Sequence, residues 1–255
     1  MKIPALAFIG VALLGVVTAR ADDYACKEPF SQTHAFSPTG TVRLDNINGH
    51  VEVRAWDRNE ILVEGEKSAT SQEVLNRIKV EITITDDQAE ITVHLPKRRE
   101  EWFNGDENIR TRVTFRVSVP ATARIAKVTC VNSGITIDGM RGPVTADSVN
   151  GGITAHGLGG DVHLHSVNGS VSAEFASIVA GQKLALDTVN GGIKIQLPRD
   201  AGLSVHCSVV NGGIDCALPL TDENKGHRRL TGTIGDGRAT LKAGSMNGGI
   251  RIEGS

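Results

Sequence analysis

The stretch Ser148-Val149-Asn150-Gly151-Gly152-Ile153 decides how this chain folds, because close copies of it return along most of the remaining sequence. The close copies are Ser166-Val167-Asn168-Gly169-Ser170-Val171, Thr188-Val189-Asn190-Gly191-Gly192-Ile193, Val209-Val210-Asn211-Gly212-Gly213-Ile214 and Ser245-Met246-Asn247-Gly248-Gly249-Ile250. Two looser copies lie upstream, Cys130-Val131-Asn132-Ser133-Gly134-Ile135 and Asn46-Ile47-Asn48-Gly49-His50-Val51. From Asn132 onward the asparagines are 18, 18, 22, 21 and 36 residues apart. A period near twenty residues indicates a stacked repeat.

Apolar residues recur at four positions of each copy: −6, −4, +3 and +5, counted from its asparagine. Position −4 is occupied by Leu44, Val128, Ala146, Leu164, Leu186, Cys207 and Ala243. Position +3 is occupied by Val51, Ile135, Ile153, Val171, Ile193, Ile214 and Ile250. Apolar residues two apart on both sides of an Asn-Gly pair predict two short strands, each with one buried face. Because Asn and Gly tolerate positive φ, the pair is predicted to form the corner between the strands.

A second glycine-rich corner follows two of the copies, at Gly139-Met140-Arg141-Gly142 and Gly157-Leu158-Gly159-Gly160. Strand, corner, strand, corner describes one coil of a β-solenoid, in which identical positions stack about 4.8 Å apart. The predicted fold is therefore all-β. It is a single-stranded, β-helix-like solenoid of about seven stacked coils, with N-terminal β-strands and one short helix. An antiparallel meander is the alternative, because Asn-Gly between alternating runs also favours hairpins.

The N-terminus has the pattern of an export signal, in which Lys2 precedes an apolar run and Ala19-Arg20-Ala21 forms a small-x-small cleavage site. An uncleaved membrane anchor is the alternative. Export predicts a location in the periplasm or at the cell surface. The predicted organisation is a signal peptide at 1–21, an N-terminal arm at 22–40 and a solenoid domain at 41–255, divided into N-terminal strands with a helix and a charged loop at 41–120 and Asn-Gly repeat coils at 121–255.

Between the first corner and the main repeat, the sequence alternates without a repeat of its own. It predicts extended runs at 41–54, 60–66, 80–84, 90–95 and 110–119, with a helix at 71–80. The charged loop at 96–108 carries Trp102 and Phe103. These rings are either a contact site or, in the plainer interpretation, folded back on the body of the domain.

Composition excludes some partners. The chain has 27 basic and 29 acidic residues and only 4% aromatics, so it lacks the basic stripe with interleaved aromatics that nucleic-acid binding requires. No cofactor is predicted either. Four cysteines remain after the predicted cleavage, and an exported protein can oxidise them. Cys207 and Cys216, at positions −4 and +5 of one repeat, could form a disulfide, and Cys26 would then pair with Cys130. Alternatively, Cys130, Cys207 and Cys216 are small buried hydrophobes.

Two sets of polar residues are candidate sites. His163 and His165 share one strand face, as a metal pair requires, and stacking in sequence order would place His165 between Asp147 and Asp187. An exposed ladder of alternating charges is the alternative, because surface His-x-His is a weak signal. The corner asparagines could bind sugars or calcium, although amide bonds from coil to coil also explain their recurrence. These asparagines are Asn48, Asn132, Asn150, Asn168, Asn190, Asn211 and Asn247.

Several stretches resemble the bacterial putative-adhesin family, an adhesin-like β-solenoid domain of unknown function, over roughly residues 38–255. They are Asn48-Gly49-His50-Val51-Glu52-Val53-Arg54-Ala55-Trp56-Asp57, Val117-Ser118-Val119-Pro120-Ala121, Gly232-Thr233-Ile234-Gly235-Asp236-Gly237 and the serial Val-Asn-Gly-Gly-Ile corners. The resemblance implies an exported or membrane-tethered β-solenoid in the cell envelope, without established catalytic residues. The loop at 96–108 and the cysteines depart from the family pattern.

The expected function is non-catalytic: a cell-envelope protein that presents its solenoid surface for adhesion or for binding a protein or another ligand. The partner would be an envelope protein or polymer, and contact with the membrane would occur only through the export signal. An accessory sensor of an envelope-stress system is an alternative suggested by the resemblance. A polysaccharide-acting β-helix enzyme is a weaker alternative, because no recurring acid pair or Ser-His-Asp spacing stands out. The chain ends shortly after Ile250, so an open solenoid end is expected, which the insertion at 218–229, the N-terminal strands or a second copy would cover.

Overall fold

The structure of the protein is a computed structural model that describes residues 24–96 and 109–255. The predicted signal peptide at 1–21 and the aromatic pair of the charged loop, Trp102 and Phe103, lie outside the described residues. The elements within them are, in chain order, β1 (Cys26–Ala35), β2 (Thr41–Asn48), β3 (Val51–Trp56), β4 (Glu60–Ala69), α1 (Gln72–Arg77), β5 (Lys79–Ile84), β6 (Gln88–His94), β7 (Thr111–Pro120), β8 (Arg124–Asn132), β9 (Ile135–Asp138), β10 (Val144–Ser148), β11 (Ile153–Leu158), β12 (Val162–Asn168), β13 (Val171–Phe175), β14 (Lys183–Asn190), β15 (Ile193–Leu197), β16 (Leu203–Asn211), β17 (Ile214–Cys216), β18 (Thr221–Lys225), β19 (Arg229–Ile234), β20 (Ala239–Asn247) and β21 (Ile250–Gly254).

The strands form two sheets with the apolar core between them. The first sheet has the strand order β1-β4-β7-β3-β9-β11-β13-β15-β21-β17, and the second has the order β18-β19-β16-β20-β14-β12-β10-β8-β2-β6-β5. Each coil contributes its strand before the asparagine to the second sheet and its strand after the asparagine to the first. The seven coils, in stacking order, are β2/β3, β8/β9, β10/β11, β12/β13, β14/β15, β20/β21 and β16/β17. The all-β, solenoid-like prediction is confirmed.

The inward columns predicted from the repeat form the core. Ile153 pairs with Val171 and Val171 pairs with Ile193 in parallel register, so residues one repeat apart lie directly over one another. All three side chains are buried. Burying an aliphatic side chain of this size contributes about 1.5–3 kcal/mol, so the stacked columns supply the main stabilisation of the solenoid.

The stacking order of the C-terminal coils differs from the order of the sequence. Coil β20/β21 lies between β14/β15 and β16/β17, because β20 pairs with both β14 and β16. The long gap before Asn247 is therefore one coil plus an insertion, the hairpin β18–β19, which pairs antiparallel with β16. Stacking of the coils in strict sequence order is therefore wrong at this end of the solenoid. Every coil presents the same apolar columns and the same backbone hydrogen-bonding groups, so its sequence does not specify which coil lies next to it.

The insertion covers only one of the two sheets at this end. In the second sheet β19 covers β16, whereas in the first sheet the short strand β17 is the edge. Ile214 and Cys216 on β17 are only half-buried, while the corresponding residues of the other coils are buried. Self-association through this edge stays a prediction.

The N-terminal strands extend both sheets at the opposite end. β7, β4 and β1 continue the first sheet, and β6 and β5 continue the second. The ten-residue strand β1 falls within the predicted arm 22–40 and was not predicted, because it is mostly exposed, contains Pro29 and has no apolar alternation. The helix is shorter than the predicted 71–80. Ser71 caps it by accepting a hydrogen bond from the Val74 amide, and Ile78 is already extended.

The corner glycines are required by close packing more than by positive φ. No corner asparagine has positive φ, and among the glycines that directly follow these asparagines only Gly49 and Gly212 do. At Gly169 an added Cβ would lie 2.2 Å from the carbonyl oxygen of Gly151 in the coil beneath, so any side chain there would collide with backbone. The predicted positive-φ Asn-Gly corner is therefore wrong for most coils. Where a glycine follows the asparagine, the stacked corners approach too closely for a side chain, and only coil β8/β9 has a larger residue there, Ser133.

Candidate functional site

The corner asparagines form one continuous ladder of side-chain hydrogen bonds. In each step the Nδ2 group of one asparagine donates to the Oδ1 atom of the next. The donor and acceptor pairs are Asn132 to Asn48, Asn150 to Asn132, Asn168 to Asn150, Asn190 to Asn168, Asn247 to Asn190 and Asn211 to Asn247, at distances of 2.7–3.0 Å. The coil-to-coil bonds expected from the repeat are present, and they follow the observed stacking order.

A second ladder, which sequence reasoning missed, lies inside the same corners. Position −2 carries a buried hydroxyl that donates to a backbone carbonyl of the coil beneath. Ser166 Oγ donates to Gly151 O at 2.9 Å, and Thr188 Oγ1 donates to Gly169 O at 2.8 Å. Ser148 and Ser245 make the equivalent bonds, and the thiol of Cys130 donates to Gly49 O. The recurrence of Ser or Thr at −2 was the available signal.

Position −1, between the two ladders, carries an outward-facing apolar column that is exposed in four coils and half-buried in three. Its members, in stacking order, are Ile47, Val131, Val149, Val167, Val189, Met246 and Val210. Val131, Val149, Met246 and Val210 have 37%, 41%, 51% and 48% of their surface exposed. With six steps of about 4.8 Å, the column is roughly 29 Å long. We call this apolar column and the asparagine ladder beside it the asparagine face.

The candidate metal ligands His163 and His165 lie on the outer surface of the second sheet, the surface that also carries the apolar column. His165 pairs with Asp147 on one side and with Asp187 on the other, as the sequence predicts. His163 lies between Thr145 and Ala185. Within residues 24–96 and 109–255, no three His, Cys, Asp or Glu side chains are grouped so that they could hold a metal ion. Binding of a metal by His163 and His165 thus has no third ligand in the described part of the chain.

Comparison with known proteins identifies the repeat. Residues 126–253, half of the chain, match the family model described as Toastrack DUF4097. The chain belongs to this Toastrack family. The match begins near the start of β8 and ends in β21, so it contains six of the seven coils.

Two solved structures align with most of this chain, and the first of them has the same fold. A putative cell adhesion protein from Clostridium sporogenes aligns with a TM-score of 0.51 and 12% identity over 89% of this chain and 100% of that one. A putative adhesin from Parabacteroides merdae aligns with a TM-score of 0.38 and 8% identity over 89% of this chain and 96% of that one. A search of curated proteins found no match. The helix within the described part of this Toastrack chain is too short to cross a bilayer.

The structure joins none of the four cysteines of this Toastrack chain in a disulfide. Cys26 lies on β1, four strands away from β9, the strand that forms one coil with the β8 strand of Cys130. At about 4.8 Å per strand this separation is roughly 19 Å, which no disulfide spans. The predicted Cys26–Cys130 pairing is therefore wrong. Cys130 instead takes the place of a serine in the inner ladder.

Cys207 and Cys216 occupy inward positions of the terminal coil, as predicted. Burial, with a smaller electrostatic contribution from Cys216, raises the pKa of Cys207 to about 12. Burial also raises the pKa of Cys130 to about 11. Both groups are protonated thiols at neutral pH and are therefore poor nucleophiles. A disulfide between Cys207 and Cys216 stays a prediction, which alkylation of the denatured protein with and without reductant will test.

Proposed function

We propose that this protein is a non-catalytic, exported component of the cell envelope that binds a protein or polymer through its asparagine face. The observation that carries the proposal is the exposed apolar column. Single exposed hydrophobic residues are common on protein surfaces, but contiguous apolar rows mark interaction sites. Here an apolar residue occupies position −1 in all seven coils, although that position faces outward.

The two hydrogen-bond ladders beside the apolar column support this role because they hold its side chains in fixed positions. The asparagine ladder lies on one side of the column and the buried hydroxyl ladder lies beneath it. A surface that is already ordered loses little conformational entropy when it binds. The Clostridium sporogenes protein with the same fold, described as a putative cell adhesion protein, is consistent with a binding role.

Site-specific photo-cross-linking in intact cells tests the proposal. A photoreactive amino acid replaces Val149 or Met246 in the column. Matched controls carry it at His156 or Arg251, which are exposed on the first sheet of the same two coils. We expect one partner to be captured from the column positions and not from the controls. Equal capture at all four positions, or no capture at any, would contradict binding through the asparagine face.

A direct binding measurement with the purified partner then follows. The double variant Val149→Lys, Met246→Lys should weaken binding at least about tenfold, because it places two charges in an apolar contact. The variant His156→Lys, Arg251→Lys leaves the column intact and should bind like the wild type.

Export is tested independently by cell fractionation and by N-terminal sequencing. We expect the protein in the envelope fraction, with a new N-terminus near Asp22. Recovery of the intact chain from the cytoplasm would contradict this part of the proposal.

A further inference from the structure

An open groove lies at the end of the asparagine ladder where the first coil meets β7. Its lining includes Tyr24, Asn48, His50, Arg112, Thr114 and Asn132. None of the lining residues within 24–96 and 109–255 is acidic, whereas His50 and two arginines, Arg110 and Arg112, belong to the groove. The groove therefore differs in charge from the outer column that holds Asp147 and Asp187.

The asparagine ladder is polar along its length, and its donor end lies at this groove. All six hydrogen bonds run in the same direction, from Asn211 at one end to Asn48 at the other. The Oδ1 atom of Asn48 accepts from Asn132, so the Nδ2 group of Asn48 is the last donor of the chain. Aligned amides polarise one another and concentrate positive charge at the donor end, as they do at a helix N-terminus.

Arg112 brings a full positive charge to the same place. Its guanidinium carbon lies 4.2 Å from the centroid of the Tyr24 ring, which holds the planar group in position. The stem of Arg112 crosses Gly49, where an added Cβ would lie 2.9 Å from Arg112 Cγ. Among residues 24–96 and 109–255, no carboxylate forms an ion pair with Arg112. Within the described residues, no carboxylate therefore occupies its forked donors.

We propose that this groove binds an oxyanion, a phosphate or carboxylate group, between Arg112 and the terminal amide of Asn48. Guanidinium groups bind such anions through two parallel hydrogen bonds, and a neutral amide donor adds a third without a competing charge. Anionic lipids, anionic polymers and free phosphate all carry such a group. This site lies at one end of the solenoid and is separate from the apolar column, so either proposal can fail while the other holds.

Titration of the purified protein with inorganic phosphate tests the site. Amide resonances of the Asn48 side chain should shift, with sodium chloride of equal ionic strength as reference. Arg112→Gln should weaken phosphate binding at least about tenfold, because it removes a charge-assisted pair of hydrogen bonds. Asn48→Asp should do the same, although its carboxylate still accepts from Asn132 and so preserves the ladder. Arg43→Gln removes the same charge from the same coil away from the groove and should bind like the wild type.

Two results would overturn the proposal: phosphate leaves the Asn48 resonances unchanged, or Arg43→Gln weakens binding as much as Arg112→Gln. Unchanged circular dichroism and melting temperature show that each variant is folded. If Arg112→Gln does not fold, Asn48→Asp provides the test of phosphate binding in its place.

Two further arms identify the source of the oxyanion. Co-sedimentation with phosphatidylcholine vesicles that contain phosphatidylglycerol, lost in Arg112→Gln, assigns a lipid. Binding of a soluble glycerol-phosphate oligomer with the same variant dependence assigns a polymer. Binding of inorganic phosphate alone assigns a small free oxyanion.

Discussion

Two coils with the same repeat differ in how firmly they are held. Coil β14/β15 lies inside the stack between β12/β13 and β20/β21, whereas β17 of coil β16/β17 is the edge of the first sheet. Ile193 at position +3 of the inner coil is 2% exposed, but Ile214 at the same position of the terminal coil is half-buried. Thr188 bonds to the coil beneath, and the terminal coil has Val209 in its place. The same motif therefore contributes different stability, depending on what is stacked against it.

The largest expected difference is in the core. Ile193→Ala should lower the free energy of unfolding by about 3 kcal/mol, because it opens a cavity between two coils. Ile214→Ala should cost about 1 kcal/mol, since its side chain is already partly in water. Urea denaturation of both variants measures the two values. Equal losses would contradict the weaker packing of the terminal coil.

The corner glycines should show the next largest effect. In Gly191→Ala the new Cβ would lie 2.3 Å from Gly169 O, so the corner must shift, at a cost of about 2 kcal/mol. Gly213 of the terminal coil lies one position further along the corner, where an added Cβ has no atom within 4 Å, and Gly213→Ala should change stability by less than about 0.5 kcal/mol. Thermal denaturation distinguishes the two. A neutral Gly191→Ala would mean that corner stacking is looser than described.

The inner hydroxyl ladder gives a reciprocal pair of variants. Thr188→Val should cost about 1.5 kcal/mol, because it leaves the part-buried carbonyl of Gly169 without this donor. Val209→Thr should stabilise the terminal coil, by up to about 1 kcal/mol, since Val209 continues the column of Thr188 and Ser245 and the new hydroxyl would by the same register face Gly248 O. The sign of each change in urea denaturation is the readout. Destabilisation by both variants would show that side-chain shape matters more than the hydrogen bond.

The asparagine ladder should show a smaller effect, because it is exposed to water. Asn190→Ala removes two ladder bonds and should lower stability by about 1 kcal/mol, without affecting binding at other coils. Asn211→Ala removes only the terminal bond and should cost about half as much. A larger loss of stability from Asn211→Ala than from Asn190→Ala would indicate that Asn211 makes a stabilising contribution beyond its hydrogen bond to Asn247.

Zinc should have no effect. Addition of zinc to the purified protein should leave the melting temperature unchanged, because the described residues supply no third ligand beside His163 and His165. A rise in melting temperature that disappears in His163→Ala would restore the metal hypothesis.

The repeated sequence by itself determined the strands and corner of each coil and the contacts between equivalent residues of adjacent coils. The inward positions, the number of coils and the stacking of Ile153, Val171 and Ile193 all follow from a periodic apolar pattern. The asparagine ladder follows from the same register. Such features are predictable because a period near twenty residues and a strand alternation of two favour the arrangement that stacks the apolar columns in one core.

Only the tertiary structure decided which coil lies beside which and what the ends look like. Coil β20/β21 enters the stack ahead of its sequence position, and β1 joins the first sheet without an apolar face of its own. All coils offer the same backbone hydrogen bonds and similar apolar columns, so a local pattern does not select one neighbour over another. The groove at Asn48 and Arg112 was unpredictable for the same reason: it forms where residues far apart in sequence meet at the end of the stack.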